Sequence, residues 1–103
     1  MITAIVQLDL SKLPPAVDIR AVYESSIPKY VGFPGLIRKY YLLDEERRVG
    51  GGAYLFKTKE DGQRLFSAEW RAGLQTKMGI DPVVNYYETP IVVDNLADDV
   101  TRA

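Results

Sequence analysis

Histidine and cysteine are both absent from the 103 residues. Their absence removes the usual carriers of Ser-His-Asp and Cys-His nucleophilic catalysis, of thiolate redox work and of His/Cys zinc sites. A haem held by a protein histidine or cysteine is excluded as well. Chemistry in this chain falls to Lys, Arg, Tyr, Asp, Glu, Asn, Ser or Thr, or to the substrate itself. No run of about 18 apolar residues occurs, so a spanning helix is excluded and no membrane is expected as a partner. Charge of one sign is missing too: 13 Lys+Arg face 14 Asp+Glu, for a net charge of −1. Nucleic acid is therefore not an expected partner, because phosphate contacts need a clustered basic surplus. "RKYY" at 38–41 sets two cations beside two tyrosines, too few for a stacking platform. No paired-carboxylate or metal-ligand spacing stands above background, and neither a metal nor a cofactor is expected. The N-terminal "MITAIVQLDL" has no basic region and reads as a strand rather than a leader. Cytoplasm is the default expectation, with which a chain free of cysteine agrees.

What is present fits one domain with a single modest core, at 47% hydrophobic residues. Ile2, Ala4, Val6, Leu8 and Leu10 alternate with Thr3, Ile5, Gln7 and Asp9, the pattern of a half-buried strand. "SKLPPA" ends it and offers prolines at a helix start. From Ala16 the positions Ile19, Val22, Tyr23, Ile27 and Tyr30 follow helical spacing, until Pro28 is expected to kink or end the helix. Residues 36–43 and 52–57 read as two strands around the polar loop "DEERR". With Asp44 opposite Val49, Lys39 pairs with Tyr54 and Tyr41 with Gly52. Ile37, Lys39, Tyr41 and Leu43 then share a face with Gly52, Tyr54 and Phe56.

Thr58 and Asp61 resemble a capping box with Asp in place of Glu. The helix they open carries Phe66, Trp70, Leu74 and Met78 down one stripe and ends near Gly79. Val83 to Val93 is the final strand, with Pro90 marking an edge, bulge or bend. The order β-α-β-β-α-β is the split βαβ arrangement of an α+β, ferredoxin-like domain. Residues 1–95 form that domain, and 96–103 are expected to be a frayed polar tail. Two helices cover one face of a four-stranded antiparallel sheet, and a second subunit is the economical cover for the other. A homodimer is the expectation.

"FPGLIRKYYLLDEERRVGGGAYLF" and "SAEWRAGLQTKMGIDPVVNYYETPIVVDN" resemble the small YdhR-type proteins classed as monooxygenases. These belong to the ferredoxin-like, dimeric α/β-barrel group that includes the antibiotic-biosynthesis monooxygenases. The resemblance covers almost the whole chain and is densest from Phe33 to Asn95. It rests on Pro34-Gly35-Leu36, Lys39 before an aromatic-Leu pair, Gly51-Gly52 before Tyr54-Leu55-aromatic, Trp70, and Pro90 to Asn95. Tyr41 and Phe56 stand where the resemblance leads one to expect tryptophan, which implies a less bulky or more polar wall. The histidine on which related haem-degrading members depend has no counterpart.

Three groups of residues carry the functional expectations, each beside a structural alternative. Gly50 to Gly52 either provide a hairpin bulge and twist or keep space open beside Tyr41 for a ligand. Three glycines in a strand cost about 0.5–1 kcal/mol each relative to alanine, so a geometric need offsets them. Lys39 is either an edge-strand lysine that discourages aggregation or the catalytic residue. In the second case its ammonium sits among Tyr54, Tyr41 and Phe56 and stabilises a phenolate or enolate, or acts as a base once desolvated. Trp70, Phe66 and Tyr23 face inward from the helices, either as core or as pocket wall. Tyr86 and Tyr87 point to opposite faces of the last strand, one to the helices and one to the dimer. Tyr23, Tyr41, Tyr54, Phe56, Phe66, Trp70 and Tyr86 are the candidate substrate-binding residues. Glu69 reads as a solvated helix residue, and Asp94-Asn95 as a tie for the chain end or the subunit contact.

The resemblance implies a monooxygenase, and the absence of His and Cys agrees with one that needs no cofactor. A small hydrophobic or aromatic ligand, such as a polyketide-like phenol, would pass electrons to oxygen itself once deprotonated. A non-oxidative cyclase or isomerase in the same pocket, and a small-molecule-binding protein without catalysis, are the alternatives.

Overall fold

Alternation in the first ten residues becomes strand β1, Ile2–Asp9, in the computed structural model, which describes residues 1–102. Ala4, Val6 and Leu8 are buried while Ile5 and Gln7 face out, as period two requires. Asp9 accepts a hydrogen bond from Ser11 N–H at 3.0 Å and turns the chain into a short 3-10 segment, Leu10–Lys12. Helix α1 spans Ile19–Tyr30, three residues later than the start expected at Ala16. Asp18 decides that boundary, because its side chain accepts from Ala21 N–H and satisfies a free donor of the first turn.

Of the two outcomes expected at Pro28, the end of the helix does not occur, and α1 runs through it to Tyr30. The missing N–H costs a single bond to the carbonyl of Glu24 near the end of the helix. Val31 N–H still closes on the Ile27 carbonyl at 3.2 Å.

Strands β2, Leu36–Asp44, and β3, Val49–Phe56, form the expected hairpin with Asp44 opposite Val49, Lys39 opposite Tyr54 and Tyr41 opposite Gly52. One correction concerns Ile37. A register shift between Leu36 and Arg38 makes Ile37 an extra, outward residue, and Leu36 takes its place on the shared face opposite Phe56.

The second expected helix is two. Helix α2, Lys59–Leu65, opens with Thr58 accepting from Asp61 N–H at 3.2 Å while its hydroxyl donates to the Asp61 carboxylate. At Phe66 the backbone leaves the helix, and Ser67 caps α3, Ala68–Met78, by accepting from Trp70 N–H. A serine able to satisfy a new first turn makes that break cheap. Gly79, at φ 64°, ends α3 with its N–H on the Gln75 carbonyl.

The last strand is also two. β4, Val83–Glu88, pairs with β1, and beyond Pro90 the chain leaves the sheet as β5, Ile91–Asp94. Residues expected to fray form β6, Asp99–Arg102, in a separate hairpin with β5. Asp94 holds the turn by accepting from Leu96 N–H and Ala97 N–H, both at 3.1 Å. The same carboxylate meets Arg38 at 3.0 Å and ties the hairpin to β2.

The result is an α+β fold. A four-stranded antiparallel sheet in the order β2-β3-β1-β4 carries the helices on one face, an arrangement compatible with a ferredoxin-like fold. Phe56, Leu10 and Ile80 are the largest fully buried side chains of the core between them. On the other face Tyr40 is 56% exposed, Tyr87 55% and Val83 55%, so that face is apolar and uncovered. No helix among the described residues is long and apolar enough to cross a membrane.

Candidate functional site

A cavity of about 80 Å³ lies between the helices and the sheet, lined from β1, α1, β2, β3 and α3. At about 10–15 Å³ per water position, it has room for one aromatic ring. Val6 and Leu8 form part of its floor, Tyr54 and Lys39 come from the hairpin, and Trp70, Leu74 and Met78 from α3. The inward faces of these elements meet because the β2–β3 register puts Lys39, Tyr41 and Tyr54 on the helix side.

Lys39 is held in a cage of rings. Its Nζ lies 3.4 Å from the centroid of Tyr30, 3.7 Å from Tyr41 and 4.8 Å from Tyr54. No described carboxylate pairs with it; the four ion pairs among the described residues all use arginine. Burial lowers its pKa from 10.5 to about 7, with a smaller contribution from the positive charge of Lys29. The ring faces oppose that shift, since each attracts the cation through its quadrupole.

The tyrosines are individually anchored. The Tyr23 hydroxyl donates to the Leu42 carbonyl at 2.8 Å and accepts from Gly51 N–H at 2.9 Å. Burial raises its pKa, and the Gly51 bond opposes the rise. Tyr41 shares a hydrogen bond of 2.7 Å with Ser26, whose hydroxyl also lies 2.7 Å from the Tyr23 carbonyl. The Tyr30 oxygen accepts from the Trp70 indole N–H at 3.0 Å. Tyr54 is buried, which pushes its pKa upward and keeps it a neutral phenol.

The three glycines have different jobs. Gly51 adopts φ 134°, and a Cβ there would sit 1.9 Å from the Val6 carbonyl oxygen, so the close approach of β3 to β1 forbids a side chain. At Gly50 a Cβ would meet the Tyr23 hydroxyl at 2.2 Å, and at Gly52 the Tyr54 ring at 2.9 Å. Strand geometry accounts for Gly51. The other two make room for anchored rings.

Of the residues singled out in the sequence, Lys39, Tyr23, Tyr41, Tyr54 and Trp70 line the cavity together. Phe56, Phe66 and Tyr86 do not. Phe56 stacks behind Tyr54 at 6.0 Å, and Phe66 meets Tyr54 edge-on at 4.9 Å, so both act as core that supports the wall. Tyr86 lies beyond Phe66, against Gly62 of α2. Sequence reasoning missed Tyr30, Ser26, Lys29 and Lys77 as lining residues. Tyr30 follows Tyr23 by seven residues on the helical stripe read from the sequence, the signal that would have added it to the candidate ligand-binding rings.

Among the described residues no cluster of three or more His, Cys, Asp or Glu could hold a metal ion. No family model matches the chain, and no curated protein matches it.

Proposed function

We propose that the protein is a cofactor-independent monooxygenase of the YdhR type, acting on a small aromatic or polyketide-like phenol in the cavity between helices and sheet. The observation that carries this reading is the ammonium of Lys39, enclosed by three tyrosine rings and left without a carboxylate. A cation that has lost most of its water and has no ion partner is arranged to meet negative charge that develops on a substrate oxygen. The substrate supplies all four electrons: one atom of O₂ becomes a carbonyl oxygen of the product quinone, and the other leaves as water. The chain's task is then to bind the phenol, stabilise its anion and exclude water.

The same reading takes the protein as a homodimer in a dimeric α/β barrel. The apolar sheet face, with Tyr40, Leu42, Val83 and Tyr87 exposed, supports it. So does the β5–β6 hairpin, whose Ile91, Val93 and Leu96 are exposed and available to a second copy.

Oxygen uptake with a panel of hydroquinones and anthrone-like phenols tests the proposal. Lys39→Ala is expected to lower kcat/KM by about 100-fold or more, the usual cost of removing one preorganised charge-stabilising donor. Turnover unchanged by that substitution would end the proposal. The near-neutral pKa of Lys39 favours a second reading, a non-oxidative cyclase or isomerase with Lys39 as base. Product formation without oxygen uptake, rising with pH through about 7, would select it.

A further inference from the structure

Three lysines line the cavity and no acid does. Lys39 lies within it, while Lys29 on α1 and Lys77 on α3 also contribute to its wall, each from the last turn of its helix. Lys77 helps to lower the pKa of Lys29, after burial, and Lys29 helps to lower that of Lys39. The three charges therefore act on one another in series. Like charges brought together repel, and nothing among the described residues neutralises these. Every described ion pair uses an arginine elsewhere: Arg20 with Glu45, Arg38 with Asp94, Arg47 with Asp44 and Arg64 with Asp61. Glu24, the acid of α1, is exposed and does not line the cavity. Beside the lysines, Trp70, Leu74 and Tyr54 offer an apolar wall sized for one ring.

We infer that the ligand of this cavity is an aromatic acid, with its ring against Trp70 and Leu74 and its carboxylate held between Lys29 and Lys77. The inference deepens the reading of the cavity as a substrate pocket and rests on it. A carboxylate at that place relieves the repulsion between the two lysines and leaves Lys39 free for the reacting oxygen at the other end of the ligand. Chemistry of two kinds is thereby separated: recognition at one pair of cations, charge stabilisation at the third. A neutral phenol would satisfy only the second.

Trp70 is the single tryptophan of the chain and lines the cavity, so its fluorescence reports occupancy directly. Phenylacetate, phenylacetamide and phenethylamine share a ring and differ in charge. Phenylacetate is expected to bind about tenfold more tightly than the amide, as a charge-assisted contact at a partly exposed site allows, with the amine weakest. In the double variant Lys29→Gln, Lys77→Gln the acid is expected to fall to the affinity of the amide, and the amide to stay where it was. Both substitutions are at exposed positions, and circular dichroism confirms that the variant is folded. Equal affinities for acid and amide in the native chain would overturn the inference while leaving the pocket reading intact. A preference for the acid that survives in the double variant would overturn it too, by placing the carboxylate elsewhere. Binding by none of the three probes would overturn both the inference and the pocket on which it rests.

Discussion

Lys39→Met is expected to make the protein more stable, although it removes the residue given the central chemical role. A fall in pKa from 10.5 to about 7 corresponds to about 5 kcal/mol against the charged form, at about 1.36 kcal/mol per pH unit. Solvent still reaches part of the group, and the faces of Tyr30, Tyr41 and Tyr54 return about 0.5–1 kcal/mol each. About 2–3 kcal/mol of cost remains. Below pH 7 the lysine is charged in the folded and unfolded states alike, and the full cost is present. Between about 7 and 10.5 the unfolded chain keeps the proton and the folded chain releases it, so native stability rises with pH across that window. Above 10.5 both states are neutral and the electrostatic cost is gone. Methionine has nearly the length of lysine and no charge, so it fills the same space. Urea unfolding of both proteins at intervals from pH 6 to 10 measures the difference and cancels every other titrating group. The variant is expected to lead by about 2–3 kcal/mol at pH 6, with the lead shrinking as pH rises. A variant less stable at pH 6, or a difference flat across the range, would refute the account of Lys39 as a buried, unpaired cation.

Two further substitutions probe the scaffold and the assembly. Gly51→Ala places a methyl against the Val6 carbonyl at a positive φ and is expected to cost about 3 kcal/mol or more, or to prevent folding. Gly73→Ala, inside α3 with nothing within 4 Å, is expected to add about 0.5–1 kcal/mol; thermal unfolding of the pair measures both. Leu42→Asp puts a charge on the open sheet face, where the side chain is exposed in the single chain and its solvation is cheap. Light scattering is expected to give a dimer for the native protein and a monomer for this variant. A native monomer would remove the homodimer from the proposal.

Much of the frame was legible because side-chain alternation and turn chemistry leave few choices. The register that puts Lys39 opposite Tyr54 follows from the polar loop between Asp44 and Val49, and a slip by one would expose the whole inward set. The bulge at Ile37 was hidden because Leu36 and Ile37 are both apolar, and either fits the inward pattern. The break between α2 and α3 was hidden for a related reason. Phe66, Trp70, Leu74 and Met78 keep a spacing of four residues straight across it, so periodicity carries no trace of the new cap at Ser67. Polar residues at the C-terminus read as a tail because they bury little. The hairpin they form is held instead by main-chain pairing and by one carboxylate, Asp94, accepting two backbone donors. Which rings face the cavity was legible only in part: Tyr23, Tyr41, Tyr54 and Trp70 do, and Phe56, Phe66 and Tyr86 do not. Phe56 and Tyr54 share one face of β3, yet only Tyr54 reaches the empty space, because depth beneath the helices decides it and composition does not.

The places where local rules are broken fall together in space. A lysine sits among aromatic rings without a counter-ion, the charge of Lys29 acts on it, and three glycines interrupt the strand beside it. The unpaired lysine lowers stability on its own, and a core built for stability alone would have placed an aliphatic side chain at Lys39, while Gly50 and Gly52 are kept bare by the rings that fill their space. The surrounding chain over-determines the arrangement: Phe56 and Phe66 brace Tyr54 from behind, Trp70 fixes Tyr30, and Gly51 with the Leu42 carbonyl fixes Tyr23. Rigid walls around a destabilised charge are the physical form of preorganisation, in which the fold bears the cost of desolvation before any ligand arrives. That is why the stability gain expected for Lys39→Met and the activity loss expected for Lys39→Ala are two measurements of one arrangement, and why they should move in opposite directions.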